Sequence, residues 1–185
     1  MIKPLITVDE YKEYAGITSI DFDDKLQSIV NRISELVKTY CNRRFIDNYN
    51  KATQQFIPIV EYSNFDGYFY PQEFPLQLLV GVEYSQDSGE TYTQVSGCAL
   101  DRSKDAIYIP ELGREGINMF KITYTGGYQK TPDDLKLACL DLVDYYYKGE
   151  AVPRRTTMNN TVEYITSADM PSHIKRVLDL YRVLL

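Results

Sequence analysis

The sequence predicts an α+β fold: a small α-helical bundle of about four helices that carries an inserted, mostly antiparallel β module. Two observations predict it. Near both ends of the 185-residue chain, apolar residues recur at three- and four-residue steps, the period of amphipathic helices. Between these regions the helical period disappears, and short β-like runs are separated by turns. We therefore predict a discontinuous helical domain, residues 1–47 plus 128–185, around a β module of residues 48–127.

The first helix is predicted from its two ends. Thr7 and Glu10 form a Thr-x-x-Glu capping box, in which each side chain satisfies a backbone amide that the helix leaves unbonded. Gly16 can adopt the left-handed conformation that commonly ends a helix. These signals predict a short helix from Val8 to Ala15.

A longer helix follows, and either Ser19 or Asp21 is its expected N-cap. Arg43 and Arg44 come after its C-terminus, where cations complement the helix dipole. The apolar residues of this helix form one stripe, which consists of Leu26, Ile29, Val30, Ile33, Leu36, Val37 and Tyr40.

The central region contains four β-like runs, around residues 55–60, 78–84, 106–109 and 120–124. Turn signals separate or flank these runs; they are Asp66-Gly67, Ser88-Gly89 and Ser96-Gly97. Runs of this length and spacing are typical of antiparallel strands.

The segment from Ile122 to Tyr128 joins a strand to a helix through two glycines, which we interpret as hinge or turn residues. Thr131 is the expected N-cap of that helix, and Pro132 suits its first position. Asp133 and Asp134 then lie where the helix dipole favours negative charge. The apolar face of this helix, which should end at Gly149, consists of Leu135, Ala138, Cys139, Leu142, Val143 and Tyr146.

Residues 150–169 are polar and rich in threonine and asparagine, which predicts a loop or flexible arm. Asp169 or Ser172, together with Pro171, should begin a last helix that runs to the end of the chain. Its apolar stripe consists of Ile174, Val177, Leu178, Tyr181 and Leu184.

The composition limits the kinds of partner. The net charge is −6, and lysines and arginines are scattered in ones and twos, which argues against tight phosphate binding but permits passing contact with DNA. The chain has 17 tyrosines and no tryptophan; this surplus favours β-rich surfaces and protein interfaces. Since the sequence shows neither an apolar signal core nor an eighteen-residue apolar run, we expect a cytosolic protein when it is made, without a membrane partner.

Residues suited to catalysis or metal binding are few. A hydrolytic triad or a zinc site would depend on His173, the one histidine. The odd number and wide spacing of the three cysteines favour buried thiols over a disulfide; they are Cys41, Cys98 and Cys139. The acid pairs Asp23-Asp24 and Asp133-Asp134 lie near helix starts, where the dipole explains them. We therefore predict no catalytic residues, no metal site and no cofactor.

Three consecutive tyrosines, Tyr145-Tyr146-Tyr147, fan over about 200° of a helix, so one core cannot absorb all three rings. At least one ring should meet solvent, the β module or another subunit. Arg43 and Arg44 have an alternative to the dipole interpretation, which is an intersubunit salt bridge. The candidate residues for a subunit or portal interface are Arg43, Arg44, Tyr145, Tyr147, Arg154, Arg155, Tyr181 and Arg182.

Five segments occur in a specific order: ITVDEYKEYA from residue 6, VKTYCNRRF from 37, PLQLLVGVEY from 75, ITYTGGY from 122, and PDDLKLA from 132, which leads to Tyr146-Tyr147. In this combination the chain resembles, over nearly its whole length, the phage head–tail connector (adaptor or head-completion) family, including its members with a β insertion. One departure is local. Relatives tend to continue from the tyrosines into an Asn-Arg-Glu-like ending, where this chain has Lys148-Gly149-Glu150.

The resemblance implies a non-enzymatic protein of the virion neck, made in the bacterial host cytoplasm. It implies a ring, typically dodecameric, that docks on the portal protein, leads to the next neck or tail-completion protein, and lets genomic DNA pass through its centre with transient, non-specific contact. We expect the arm of residues 150–169 or the C-terminal helix to contact the portal, and the β module to lie at the outer rim. Two alternatives remain: a small binding module with an exposed, tyrosine-rich β surface, and a small hydrolase.

Overall fold

The structure, a computed structural model, describes residues 3–112, 115–149 and 170–183. For residues 115–118 it describes the backbone but not the side chains. The chain divides into two compact units: Met1–Arg43 with Thr131–Leu185, and Arg44–Lys130. The described elements of the first unit are helices, and those of the second are strands in antiparallel sheets. The α+β prediction is confirmed. The predicted arm, residues 150–169, lies outside the described residues.

The helical unit contains four described helices: α1 Val8–Ala15, α2 Asp23–Cys41, α3 Asp133–Tyr147 and α4 Ser172–Asp179. The two longer helices, α2 and α3, pack against each other, and each also contacts α1 and α4. Burial of the apolar stripes holds the unit together, because each fully buried Leu, Ile or Val side chain contributes about 1.5–3 kcal/mol. The largest fully buried side chains of this unit are Tyr11, Ile6, Leu26, Ile33, Leu135 and Leu142.

The ends of α1 are those that the sequence predicts. The Thr7 hydroxyl accepts a hydrogen bond from the Glu10 amide at 3.2 Å, and the Glu10 carboxylate accepts one from the Thr7 amide at 2.8 Å. Gly16 then adopts a left-handed conformation with φ 67°. Both the capping box and the terminating glycine are therefore confirmed.

The predicted cap of α2 is wrong. Phe22 occupies the N-cap position and makes no side-chain capping bond. Ser19 and Asp21 bond to each other instead: the Ser19 hydroxyl donates to the Asp21 carboxylate at 2.7 Å and accepts from the Asp21 amide at 3.1 Å. The first turn of α2 is left with Asp23 and Asp24, which complement the helix dipole.

The predicted cap of α3 is also wrong, since Pro132 lies at the N-cap and the Thr131 hydroxyl bonds elsewhere. The last helix is shorter than predicted: α4 begins at Ser172, has Pro171 at its N-cap without a side-chain bond, and ends at Asp179. A turn follows it, because the Leu180 and Tyr181 amides bond to the carbonyls of Val177 and Leu178. The alternative start at Asp169 and the predicted stripe residue Leu184 lie outside the described residues.

The N-terminal segment is held by hydroxyl groups of the helical unit. The Leu5 amide donates to the Ser34 hydroxyl at 3.0 Å, and the Leu5 carbonyl accepts from the Thr131 hydroxyl at 2.6 Å. The Lys38 ammonium donates to the Lys3 carbonyl at 2.7 Å. Because Leu5 is buried, these bonds satisfy backbone groups that have no access to water.

The β unit contains nine described strands in three antiparallel sheets. The sheet orders are β1-β2, β3-β9-β5-β6 and β4-β8-β7. The strands are β1 Tyr49–Asn50, β2 Gln55–Phe56, β3 Ile59–Phe65, β4 Gly67–Phe69, β5 Leu76–Tyr84, β6 Thr93–Gln94, β7 Ala99–Asp101, β8 Ala106–Ile109 and β9 Glu115–Gly126. Its core consists of Leu76, Val82, Val95, Ile107, Ile109, Phe120, Ile122 and Tyr124.

Candidate subunit and partner interfaces

The predicted interface tyrosines of α3, Tyr145 and Tyr147, are both half-buried. The Tyr147 ring meets the edge of the Tyr11 ring, with centroids 6.0 Å apart and planes at 70°. The Lys25 ammonium lies 5.5 Å from the Tyr147 centroid. Part of the Tyr147 ring is therefore used within the helical unit, and its interface role stays a prediction.

A groove of about 520 Å³ lies beside Tyr147, where the end of α1 meets the end of α3. The Tyr11 hydroxyl donates to the Asp144 carboxylate at 3.1 Å, and the Tyr14 hydroxyl donates to Asp141 at 2.7 Å. Burial and the bond to Asp144 raise the Tyr11 pKa, and the bond to Asp141 raises the Tyr14 pKa to about 12. The groove is lined by Tyr11, Tyr14, Ala15, Ile17, Asp144, Tyr147 and Lys148.

Two more tyrosines tie α4 to the other helices. The Tyr40 hydroxyl of α2 donates to Asp179, and the Tyr181 hydroxyl donates to Asp134 of α3 at 2.6 Å. The exposed Arg182 guanidinium lies 5.1 Å from the Tyr40 ring centroid. Of the predicted interface residues near α4, Tyr181 therefore makes a hydrogen bond within the helical unit, and Arg182 has an exposed side chain.

The other predicted arginines differ in exposure. Arg43 is only 2% exposed, so its side chain offers little surface to a partner in the isolated chain. Its position after α2 did not indicate this burial. Arg44 is exposed. Arg154 and Arg155 lie outside the described residues.

One face of the four-stranded sheet in the β unit exposes apolar side chains. Val60 and Leu78 lie on this face because they pair with Thr123 and Thr125 of β9, two residues apart on that strand. Tyr62 is 51% exposed and Leu78 59%. The binding-module alternative requires an exposed, tyrosine-rich β surface, and this face exposes Tyr62, with Tyr92 beside it.

The charges on the same sheet face are paired. The Lys121 ammonium bonds to the Glu83 carboxylate at 2.8 Å and lies 5.5 Å from the Tyr92 ring centroid. The Tyr62 and Tyr92 rings are 6.5 Å apart. The face is therefore nearly neutral as well as apolar.

A buried carboxylate organises the base of the β unit. Glu73 accepts hydrogen bonds from the Arg44 and Phe45 amides, and its own amide donates to the Tyr124 hydroxyl at 3.2 Å. The Tyr124 hydroxyl donates in turn to Glu61, whose pKa is raised by burial despite that bond. No motif in the sequence signalled this network, because its members are far apart along the chain.

Backbone contacts in the same region explain the two glycines at the end of β9, of which Gly126 is the last residue of the strand and Gly127 the next. A Cβ atom on Gly126 would lie 2.3 Å from the Glu73 carbonyl oxygen. A Cβ atom on Gly127, which has φ 98°, would lie 2.5 Å from the Phe45 carbonyl oxygen. Close backbone approach requires both glycines, and this is a structural rather than a chemical role.

His173 is exposed in the first turn of α4, and no described residue forms a catalytic arrangement with it. Within the described ranges, no group of three or more His, Cys, Asp or Glu side chains could hold a metal ion. Cys41 and Cys139 are buried, Cys98 is half-buried, and all three are free thiols. Of the helices described, none has the length and hydropathy that a membrane span requires.

Residues 4–184, almost the whole chain, match the family model for the head completion protein. The chain belongs to the head completion protein family. The predicted resemblance is thereby confirmed. The family consists of structural virion proteins, which confirms that the chain is a virion protein and not an enzyme.

A curated relative of the chain is the head completion protein of Escherichia phage T5, which is 38% identical to the chain over 63 residues. That alignment covers 33% of this chain and 37% of the phage protein. The chain therefore spans little more than a third of the curated relative that it matches.

Two solved structures share the head completion fold of this chain at 14% sequence identity. One is a chain from the neck of a native GTA particle computed with C12 symmetry; its TM-score is 0.54, and the alignment covers 100% of this chain and 96% of that one. The other is from the virion of a native gene transfer agent particle, with a TM-score of 0.53 and coverages of 98% and 91%. At this identity the likeness shows the fold alone.

Proposed function

We propose that this head completion protein is a structural component of the neck of a tailed phage. In this proposal it forms a closed ring on the portal protein, extends the DNA channel, and provides the platform for the next neck or tail protein. The observation that carries the proposal is the shared fold, over the whole chain, with a chain in a neck of C12 symmetry. Family membership supports the same role.

The charge of the chain suits a channel for DNA. A ring of twelve copies at −6 each would repel a polyanion weakly, which favours sliding over binding. Contact with the genome would then be transient and independent of sequence. A ring also needs interfaces that join different surfaces of adjacent copies, since a two-fold contact would close at a dimer.

The portal contact is proposed for the arm of residues 150–169, with Arg154 and Arg155, and for α4 with Tyr181 and Arg182. Deleting all of residues 150–185 would not test this, because Ile174 and Leu178 of α4 are buried. The β unit is proposed to lie at the outer rim of the ring. An insertion there obstructs neither the channel nor the docking surface.

Oligomer mass tests the proposal directly. The chain is purified alone and with its portal protein, and both samples are measured by native mass spectrometry or light scattering. We expect a species of about twelve times 21.4 kDa, or a monomer that joins the portal in about twelve copies. A stable monomer or dimer that does not bind the portal would contradict the proposal. It would favour a binding module that uses the apolar face of the four-stranded sheet.

A second experiment, on a variant of the chain, tests where the portal contact lies. Residues 151–168 are replaced by a short Gly-Ser linker, and the unchanged chain is the control. If the arm carries the contact, the variant keeps the helical signal in circular dichroism but no longer binds the portal. If the variant binds the portal with unchanged affinity, the arm does not carry the contact, and another surface must.

A further inference from the structure

Strand β3 forms one edge of the four-stranded sheet, and among the described strands it pairs only with β9, in a regular register from Ile59 to Ser63. On the far side of the sheet, the Val95 amide bonds to the Val82 carbonyl at 2.8 Å, so the backbone groups of Val82 point away from β9. Because hydrogen bonding alternates along antiparallel strands, Ile122, which pairs with Val82, must bond to Glu61 of β3. The amides and carbonyls on either side of Glu61 therefore point to the outer side of β3, where no described strand pairs with them.

The opposite edge of the same sheet is protected. There, β6 covers the end of β5, and the Arg102 guanidinium bonds to the Gln77 carbonyl at 3.2 Å. Two register shifts in β5 also disturb a regular edge. On β3, the outward amides belong to Val60 and Tyr62, whose side chains are exposed, and the glutamate between them is turned inwards to the Tyr124 hydroxyl. A regular edge strand with exposed apolar side chains is a template for another strand.

The arm of residues 150–169 contains a run with the composition of a strand. Residues 161–166 read TVEYIT, in which every residue except Glu163 is β-branched or aromatic. This run lies outside the described residues. Three residues join it to Met170 of the helical unit, a tether of up to ~14 Å. The edge that receives the run must therefore approach the start of α4.

We propose that residues 161–166 of one copy add as a strand to the β3 edge of the next copy. This inference rests on the proposed ring and specifies its subunit contact. Donor run and acceptor edge lie on different parts of one chain, so each copy gives one strand and receives one. That is the heterologous arrangement that a closed ring requires. Main-chain hydrogen bonds supply the affinity of such a contact, and alternate side chains supply its specificity.

A second β3 strand and a segment of another virion protein are the other partners that an open edge accepts. Pairing of β3 with itself is two-fold and would close at a dimer, which a ring does not permit. The observations favour the arm, because every copy carries one strand-like run and one open edge.

One antiparallel register suits the side chains of both segments. It places Tyr164 opposite Tyr62 and Thr166 opposite Val60, an aromatic and a β-branched pair on the exposed face of the sheet. The register that instead aligns the two Val-Glu-Tyr sequences would put two glutamates directly opposite each other, which is unfavourable. The first register therefore defines which residues to cross-link.

The main test mixes two single variants of the full chain, Tyr62→Cys and Tyr164→Cys, under the conditions in which the wild type forms a ring. Directly opposite residues of antiparallel strands have Cα atoms about 4.5–5.5 Å apart, a distance that a disulfide spans. After treatment with oxidised glutathione, we expect a covalent dimer with one chain of each variant, identified by mass spectrometry of the linked peptides. Tyr70→Cys, at an exposed tyrosine of the β unit, replaces Tyr62→Cys in the matched control and should give at least about tenfold less dimer.

A second test removes one hydrogen-bond donor from the run. Tyr164→Pro should weaken association between copies about tenfold, because one backbone bond is lost and its acceptor is left unpaired. Thr157→Pro, in the same arm but outside the run, is the matched control and should assemble as the wild type does. Neither variant changes Arg154 or Arg155, so both should still bind the portal.

The outcomes separate this inference from the proposed function. A dimer linked between Tyr62→Cys and Tyr164→Cys chains supports the inference. If a chain with both substitutions forms the disulfide only within itself, the run pairs inside one copy and the inference is overturned. A wild-type ring without either linkage, together with normal assembly of Tyr164→Pro, overturns the inference and leaves the proposed function standing. A wild-type chain that forms no ring, alone or on the portal, overturns both.

Discussion

The hydroxyl groups of Tyr11 and Tyr14 offer a matched test of how the helices are tied together. Both residues belong to α1, and both donate to aspartates of α3. They differ in burial: Tyr11 is fully buried, whereas Tyr14 is 47% exposed. Replacing either tyrosine with phenylalanine removes only the hydroxyl and keeps the ring.

The stability that each variant should lose depends on how buried the hydroxyl is and on which partner its aspartate keeps. A hydrogen bond to a charged group contributes about 1.5–3 kcal/mol when water is excluded. Asp144 keeps its ion pair with Lys148 at 2.7 Å after Tyr11→Phe, so we expect a loss near the lower limit, about 1.5 kcal/mol. Tyr14→Phe should cost about 0.5 kcal/mol, because water replaces an exposed bond.

Urea unfolding followed by circular dichroism of the helices measures both losses, and Tyr11→Phe should also lower the melting temperature by ~4 °C. The reasoning is refuted if Tyr14→Phe costs as much as Tyr11→Phe, or if Tyr11→Phe costs nothing.

The Tyr14 pKa is raised from 10.0 to about 12, so its stabilising bond is complete below pH 10 and is lost as the pH rises to about 12. Tyr14→Phe should therefore lose less stability than the wild type over that interval.

Two further predictions concern the β unit and the thiols. Gly127→Ala should destabilise the β unit by at least ~2 kcal/mol in urea unfolding, while Gly67→Ala, which has a similar φ but open space, should cost only ~1 kcal/mol; equal losses would rule out the contact with Phe45. Burial raises the pKa of all three thiols, that of Cys41 to about 12, but only Cys98 is partly exposed, so a thiol reagent at neutral pH should modify Cys98 slowly and leave Cys41 and Cys139 unmodified in the folded chain. Rapid modification of all three cysteines would contradict this.

Local signals in the sequence predicted the helices and the strands β5, β8 and β9, because the structure satisfies those signals locally. The predicted run at residues 55–60 is wrong as one strand, since it spans β2 and the start of β3, and the short strands β1, β4, β6 and β7 were not predicted. The Thr7–Glu10 box and Gly16 need only residues within one turn of α1. The predicted run at residues 106–109 coincides with β8, and the run at 120–124 lies inside β9. A β bulge between Leu79 and Gly81, and the pairing order of the sheets, had no local signal, since both depend on strands distant in sequence.

The two wrong caps show where local reasoning fails. A threonine before Pro132 has every local property of an N-cap, yet the Thr131 hydroxyl bonds to Leu5, 126 residues away. Ser34 of α2 accepts from the Leu5 amide in the same way. A buried backbone group without a partner costs about 1–3 kcal/mol, as much as a cap contributes, so the distant bond can prevail. Only the folded arrangement shows that Leu5 needs those hydroxyls.

The helical unit offers a second explanation for the large number of tyrosines. Four tyrosine hydroxyls tie its helices to aspartates, where many proteins would use lysine or arginine. A tyrosine donor leaves the carboxylate negative, whereas a lysine would neutralise it. Among the described residues, the bonds of Tyr14, Tyr40 and Tyr181 thus join helices without an ion pair at the aspartate, whereas Asp144, the partner of Tyr11, also pairs with Lys148.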